Sequence, residues 1–169
     1  MGNSSGHEGV PGINQIESLV RSLHGWRPFS GGLTGVLAED LTRESILEAI
    51  RAGRVYATTG NRTLLSFSLN DSHMGSELRL RAQERRHFTA RVVADGELRR
   101  IEIIRNGESV ISQTAVGSTH TLTWEDRIRT PGEDSYYLRV KMWDTGSAWS
   151  SPIWVRPIGD NRLSKGKST

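Results

Sequence analysis

Cysteine is absent from this chain of 169 residues, which excludes disulfides, thiolate metal sites and a cysteine nucleophile. Long apolar runs are absent too: nothing approaches the ~18 apolar residues that a membrane span requires. The opening MGNSSGHEGVPG is polar and glycine-rich. It has no charged start followed by an apolar run, so no signal peptide is expected. Read this way, the chain is soluble, has no membrane partner and carries no export address; its compartment stays undetermined. Catalytic signatures are missing as well. His7, His24, His73, His87 and His120 stand at neither HxxxH nor HExxH spacing, and there is no GxSxG elbow. The stretch Ser30-Gly31-Gly32-Leu33-Thr34-Gly35 lacks the GK[ST] ending of a P-loop and reads as a structural loop.

An excess of one charge is also nearly absent. The net charge is +3, and Arg156, Arg162, Lys165 and Lys167 against Asp160 in the tail account for it. A second basic cluster, Arg79, Arg81, Arg85 and Arg86, reads as a solvated loop. A nucleic-acid face would need aromatic or groove-reading elements beside it, so no nucleic-acid partner is expected. The neighbouring carboxylates Glu39/Asp40 and Glu125/Asp126 point apart and read as solvated.

What is present suffices for one core. Hydrophobic residues make up 35% and charged residues 24%, too apolar for a disordered chain. Residues 1–12 read as loop. Ile13, Ile16, Leu19, Val20 and Leu23 recur at helical spacing, and a short helix is expected there. Residues 26–35 carry Pro28, Gly31, Gly32 and Gly35 and read as loop. A second helix is expected over 42–52. Thr42 is its N-cap, Leu41 and Ile46 form a hydrophobic staple, Ile46, Leu47 and Ile50 make an apolar stripe, and Gly53 is the stop. Residues 55–60 then read as a short strand ending at a turn.

After Leu64 the period changes to two. Phe88, Ala90 and Val92 alternate with more polar neighbours, as do Leu122 and Trp124, and Tyr136, Leu138, Val140 and Met142. This is the signature of half-buried strands. Asn106-Gly107 between two apolar runs marks a two-residue hairpin, because a type I′ turn needs positive φ at both central residues. Asn70-Asp71-Ser72, Pro131-Gly132 and Thr145-Gly146 supply further turns. Seven or eight short strands over 64–156 imply an antiparallel, immunoglobulin-like β-sandwich. The tail 157–169 reads as basic and disordered. Trp124, Trp143, Trp149 and Trp154 read first as core or edge packing, with sugar stacking on an exposed ring as the functional alternative.

The run GLTGVLAEDLTRESILEAIRAGRVYATTG over residues 32–60 resembles the end of the catalytic domain in PHP-like (polymerase and histidinol phosphatase-like) metallohydrolases. These include a family of unknown function with a C-terminal sandwich, to which a carbamate-hydrolysing enzyme belongs. The run LLSFSLNDSHMGSEL (64–78) and the ending WSSPIWV (149–155) resemble the same family. The resemblance spans roughly residues 2 to 156. It implies that residues 1–63 are the remnant of a (β/α) barrel hydrolase, and that a two- or three-metal site lies mostly in chain preceding anything present here. The family's last metal motif, Asp-x-His followed by Gly-x-Pro-Gly, aligns with Ser5-Gly6-His7 and Gly9-Val10-Pro11-Gly12. His7 thus occupies a family ligand position, while Ser5 stands where the aspartate belongs. A serine hydroxyl is a poor divalent-metal ligand beside a carboxylate. No catalytic residue and no cofactor are therefore expected in this chain; zinc, manganese or iron is expected only in a complete parent enzyme.

Three readings follow. The chain is a C-terminal fragment or truncated relative of a PHP-like hydrolase, inactive alone; or a stand-alone sandwich module binding carbohydrate or protein; or a subunit that completes a metal site in trans with a separately encoded barrel part.

Overall fold

The computed structural model describes residues 31–81, 83–128 and 132–158. The helix expected over 13–23 and the loop bearing Ser5 and His7 lie outside the described residues, as does the tail beyond residue 158. In chain order the elements are β1 (Leu33–Val36), α1 (Arg43–Arg51), β2 (Val55–Thr58), β3 (Leu64–Leu69), β4 (Ser72–His73), β5 (Glu77–Leu80) and β6 (Arg86–Val93). They continue with β7 (Leu98–Arg105), β8 (Glu108–Thr114), β9 (Thr119–Asp126), β10 (Asp134–Met142), β11 (Ser147–Ser150) and β12 (Ile153–Pro157). The protein is mainly β, built as two sheets.

Helix α1 begins where the capping chemistry places it. The Thr42 hydroxyl accepts from the Ser45 amide at 3.2 Å, and Glu44 and Arg51 suit the positive and negative ends of the helix. Gly53, at φ +70, ends it. The staple expected from Leu41 does not form: Leu41 is 96% exposed. The apolar stripe is only partly covered, with Ile46 and Ile50 half-buried and Leu47 38% exposed.

The larger sheet runs β1-β2-β11-β10-β12-β5, and β7 and β8 extend it from the other side of β10. Strand β10 is long enough to pair β12 over Asp134–Tyr136 and β11 over Arg139–Lys141. The smaller sheet runs β4-β3-β6-β9. Two expectations are corrected here. Residues 33–36 form a strand rather than a loop: a Cβ on Gly35 would overlap the Tyr56 ring, so the glycine admits a close packing contact. The sandwich is also not wholly antiparallel, because β5 pairs β12 in parallel. Strands β1 and β2 join the larger sheet through β2 and β11, so this sheet takes strands from both sides of Leu64.

The core lies between the sheets. Leu65, Phe67, Phe88, Ala90, Val92 and Leu122 face it from the smaller sheet, and Ile101, Ile103, Tyr136, Leu138, Val140 and Ile153 from the larger. Strand β10 alternates buried and half-buried along its whole length, as a period of two requires. The rings of Phe67 and Phe88 stack at 5.7 Å, and Phe88 meets Tyr136 at 4.7 Å, which joins the two sheets at their centre. Each such large side chain stabilises by about 1.5–3 kcal/mol when fully buried.

The β7–β8 hairpin closes through Arg105 and Glu108, with Asn106 at φ 50 and Gly107 at φ 90. Nothing lies within 4 Å of a Cβ at Gly107, so a substitution there meets only backbone strain. Gly107→Val is expected to cost about 1–2 kcal/mol, read as a lowered urea midpoint with an unchanged slope. A midpoint equal to wild type would refute the turn.

Candidate functional site

Two polar constructions stand out, one inside the sandwich and one on its outer face. The inner one gathers Arg86 (β6), Arg105 (β7), Asp126 (β9), and Asp134 and Tyr136 (β10) at one end of the interface between sheets. Arg86 is 4% exposed, Asp126 1%, and Asp134 and Tyr136 0%. Arg86 pairs with Asp134 and donates to the Tyr136 hydroxyl at 2.6 Å. That hydroxyl donates to Asp126 at 2.7 Å, and Arg105 completes the chain by donating to Asp126 at 2.9 Å. The Asn106 amide binds the other Asp134 oxygen at 2.8 Å, tying the hairpin to the cluster.

Burial and the neighbouring Asp126 push the Tyr136 phenol up to about 12, so it stays protonated and keeps donating. Both aspartates are matched by an arginine, and two strands from each sheet contribute. The cluster acts as a clip across the sandwich. Asp126 and Arg86, expected from the sequence to be solvated, are instead buried because each faces an opposite charge inside the sandwich. Phase is the trace the cluster leaves in the sequence: Arg86 is in phase with Phe88, Ala90 and Val92, Asp134 with Tyr136 and Leu138, Asp126 with Leu122, and Arg105 with Ile101 and Ile103. Each charge therefore points inward with the apolar side chains of its own strand.

The outer construction is a shallow groove of about 490 Å³ on the outside of the larger sheet, lined by Arg99, Arg100, Glu102, Arg139 and Lys141 among others. Arg139, Lys141, Glu102 and Arg100 are cross-strand neighbours on β10 and β7. The register shifts between Lys141 and Met142, where Met142 faces Leu98, so Arg99 is the extra residue of a bulge. Arg99 and Arg100 are consequently both exposed. Arg139 donates to Glu102 at 2.9 Å, and that pairing holds the Glu102 carboxyl below its usual range. The Arg99 guanidinium lies 5.1 Å from the centre of the Trp143 ring, and the Lys141 ammonium 5.6 Å from that of Trp149. Trp143 is 62% exposed, whereas Trp124, Trp149 and Trp154 are half-buried.

The histidines do not converge. His73 and His87 are exposed, and His120 lies 3.3 Å from the Gln113 side chain. Among the described residues no three His, Asp or Glu side chains are grouped to hold a metal, and the two buried aspartates are engaged by arginines. The donor set described here does not fit a hydrolytic metal centre. His7 and Ser5 lie outside the described residues. No helix among the described residues is long and apolar enough to cross a membrane.

Fold and site together define a two-sheet β-sandwich protein with a helical flank and an internal ion-pair clip. Residues 4–97 match a family described as "Protein of unknown function (DUF3604)", and the chain belongs to that family. Similar curated proteins are uncharacterized. One from Chlamydia pneumoniae is 38% identical over 144 residues, covering 75% of this chain and 23% of that protein. Another from Chlamydia muridarum is 34% identical over 142 residues with the same coverage. The chain thus spans 23% of the length of these relatives. Among solved structures, a Jonesia denitrificans lytic polysaccharide monooxygenase matches with TM-score 0.37 and 14% identity, over 49% of this chain and 57% of that one. Fibronectin(III)-like modules of Clostridium thermocellum CbhA match with TM-score 0.36 and 18% identity, over 55% of this chain and 99% of that one.

Proposed function

We propose that this chain is the C-terminal portion, or a shortened relative, of a PHP-like metal-dependent hydrolase, without hydrolytic activity alone. The observation that carries the reading is an apolar flank that the described residues leave uncovered. Leu41 is 96% and Leu47 38% exposed, beside a shallow cleft of about 280 Å³ lined by Val36, Ala38, Leu41 and Ile46 among others. This flank is the seat for a catalytic barrel that supplies most of the metal ligands. The hydrolase class itself comes from the likeness of residues 32–60 and 64–78 to PHP-like proteins, and the short span relative to the chlamydial proteins agrees with a missing larger part. His7 descends from a ligand position, and Ser5 removes its carboxylate partner.

One imidazole is too few ligands for a catalytic metal site, which needs three protein ligands and an open position. The purified chain, dialysed against metal-free buffer, is therefore expected to retain well under one zinc, manganese or iron per molecule by elemental analysis. It is expected to hydrolyse aryl phosphate, carboxyl and carbamate esters no faster than free metal does. One tightly held metal per chain, with hydrolysis abolished by His7→Ala, would overturn this reading.

A further inference from the structure

Among the described residues, charge and an exposed aromatic adjoin at a place that the clip and the flank do not use: the outer groove of the larger sheet, whose lining residues Met142 and Thr145 flank Trp143 in sequence. Of its cations, Arg139 is neutralised by Glu102 at 2.9 Å. Arg99, Arg100 and Lys141 have no carboxylate within ion-pair distance among the described residues; Lys141 instead donates to the Ser147 hydroxyl at 3.0 Å. The nearby Asp144 is taken up by Asn61 at 3.0 Å and by the Gly146 amide at 3.0 Å.

A second observation is strain. Thr145, which also lines the groove, sits at φ 71. A β-branched residue is a genuine outlier there, and such outliers cluster at binding sites. The Asp144 bonds and the Met142 amide on the Gly146 carbonyl, at 2.9 Å, hold this turn closed. The turn follows directly on Trp143, a residue 62% exposed with Arg99 over one face of its ring.

We propose that this groove binds an acidic oligosaccharide, one whose sugar rings carry carboxylates. Arginine forks match carboxylates in two-point geometry. Arg99 and Arg100 present two such forks side by side because the bulge turns both outward, and Lys141 adds a point charge across the strand. The face of Trp143 opposite Arg99, on a residue 62% exposed, takes the apolar face of one sugar ring. A single small anion would leave some of these cations unused along an open groove. A single-stranded nucleic acid needs successive rings for successive bases. Among the described residues one tryptophan, Trp143, is exposed, while Trp149 is half-buried with Lys141 over it. The proposal is independent of the hydrolase reading.

The test is calorimetric titration of the full chain with a polygalacturonate oligomer. The controls are a neutral galactose oligomer, polyglutamate and an oligothymidylate of matched charge. Polygalacturonate is expected to bind with Kd below about 1 mM, at least about fivefold more tightly than any control. Arg100→Gln and Trp143→Ala should each weaken it about fivefold or more, with unchanged circular dichroism. Arg99→Gln serves as the alternative if either variant fails to fold. No binding, equal binding of polyglutamate, tighter binding of oligothymidylate, or indifference to Trp143→Ala would each overturn the proposal.

Discussion

Replacing Asp134 by alanine is expected to lower the stability of the sandwich by about 3–5 kcal/mol, since it strands a buried arginine without its counter-charge. Asp134 is fully buried and Arg86 is 4% exposed, so water cannot step in to solvate the guanidinium. The change also removes the acceptor of the Asn106 amide, loosening the β7–β8 hairpin. The loss exceeds what a hydrogen bond alone supplies, about 0.5–1.5 kcal/mol, because the cost is that of an unpaired buried charge. The double variant Arg86→Met with Asp134→Leu separates the two terms. An apolar pair of similar volume needs no solvation, and replacing a buried ion pair this way is often neutral or stabilising. Urea unfolding should therefore show the double variant recovering most of the loss. A cost below about 1 kcal/mol for Asp134→Ala would mean that the guanidinium reaches water.

That cluster also marks how far the sequence could be read. The strands were legible because their apolar residues recur every second position, as Tyr136, Leu138, Val140 and Met142 do in β10. The Asn106-Gly107 turn was legible because its chemistry is local. The clip was not, because it depends on pairing between residues far apart in sequence: Arg86 faces Asp126 across β6 and β9, and Arg105 faces Tyr136 across β7 and β10. A charged residue in phase with an apolar strand face is the trace such a cluster leaves. In Arg79-Leu80-Arg81 and Arg85-Arg86 that trace was hidden by solvated neighbours. Strand β1 was missed for the opposite reason. Gly32 and Gly35 are turn residues by local chemistry, and only the Tyr56 ring packed over Gly35 explains why a glycine suits a strand there. The outer groove depends on a bulge, which no local pattern announces.

Gly75→Ala is expected to be strongly destabilising, at about 2–5 kcal/mol. Gly53 ends α1 and Gly75 lies in the turn between β4 and β5, and their backbones touch. A Cβ on Gly75 would overlap the Ala52 carbonyl oxygen and lie 2.6 Å from the Gly53 carbonyl carbon. Neither atom is the end of a flexible side chain, so the helix end or the turn must move. Gly75 also holds φ +91, which adds left-handed strain of about 1–2 kcal/mol. The turn cannot yield freely: the Gly75 amide donates to the Pro152 carbonyl at 2.9 Å, and the Trp154 amide to that of Ser76 at 3.0 Å. Gly107→Ala is the matched control, since Gly107 has nearly the same φ with open space around it. The difference between the two variants in urea unfolding measures the contact between helix and sandwich alone. Trypsin should also cut faster at Arg51 and Arg54 in the Gly75 variant, as the end of α1 lifts from the turn. Equal costs for the two glycines, with unchanged cleavage, would show that α1 does not rest on the sandwich. The flank would then be free to move, and Leu41 and Leu47 would not form a fixed seat for a catalytic barrel.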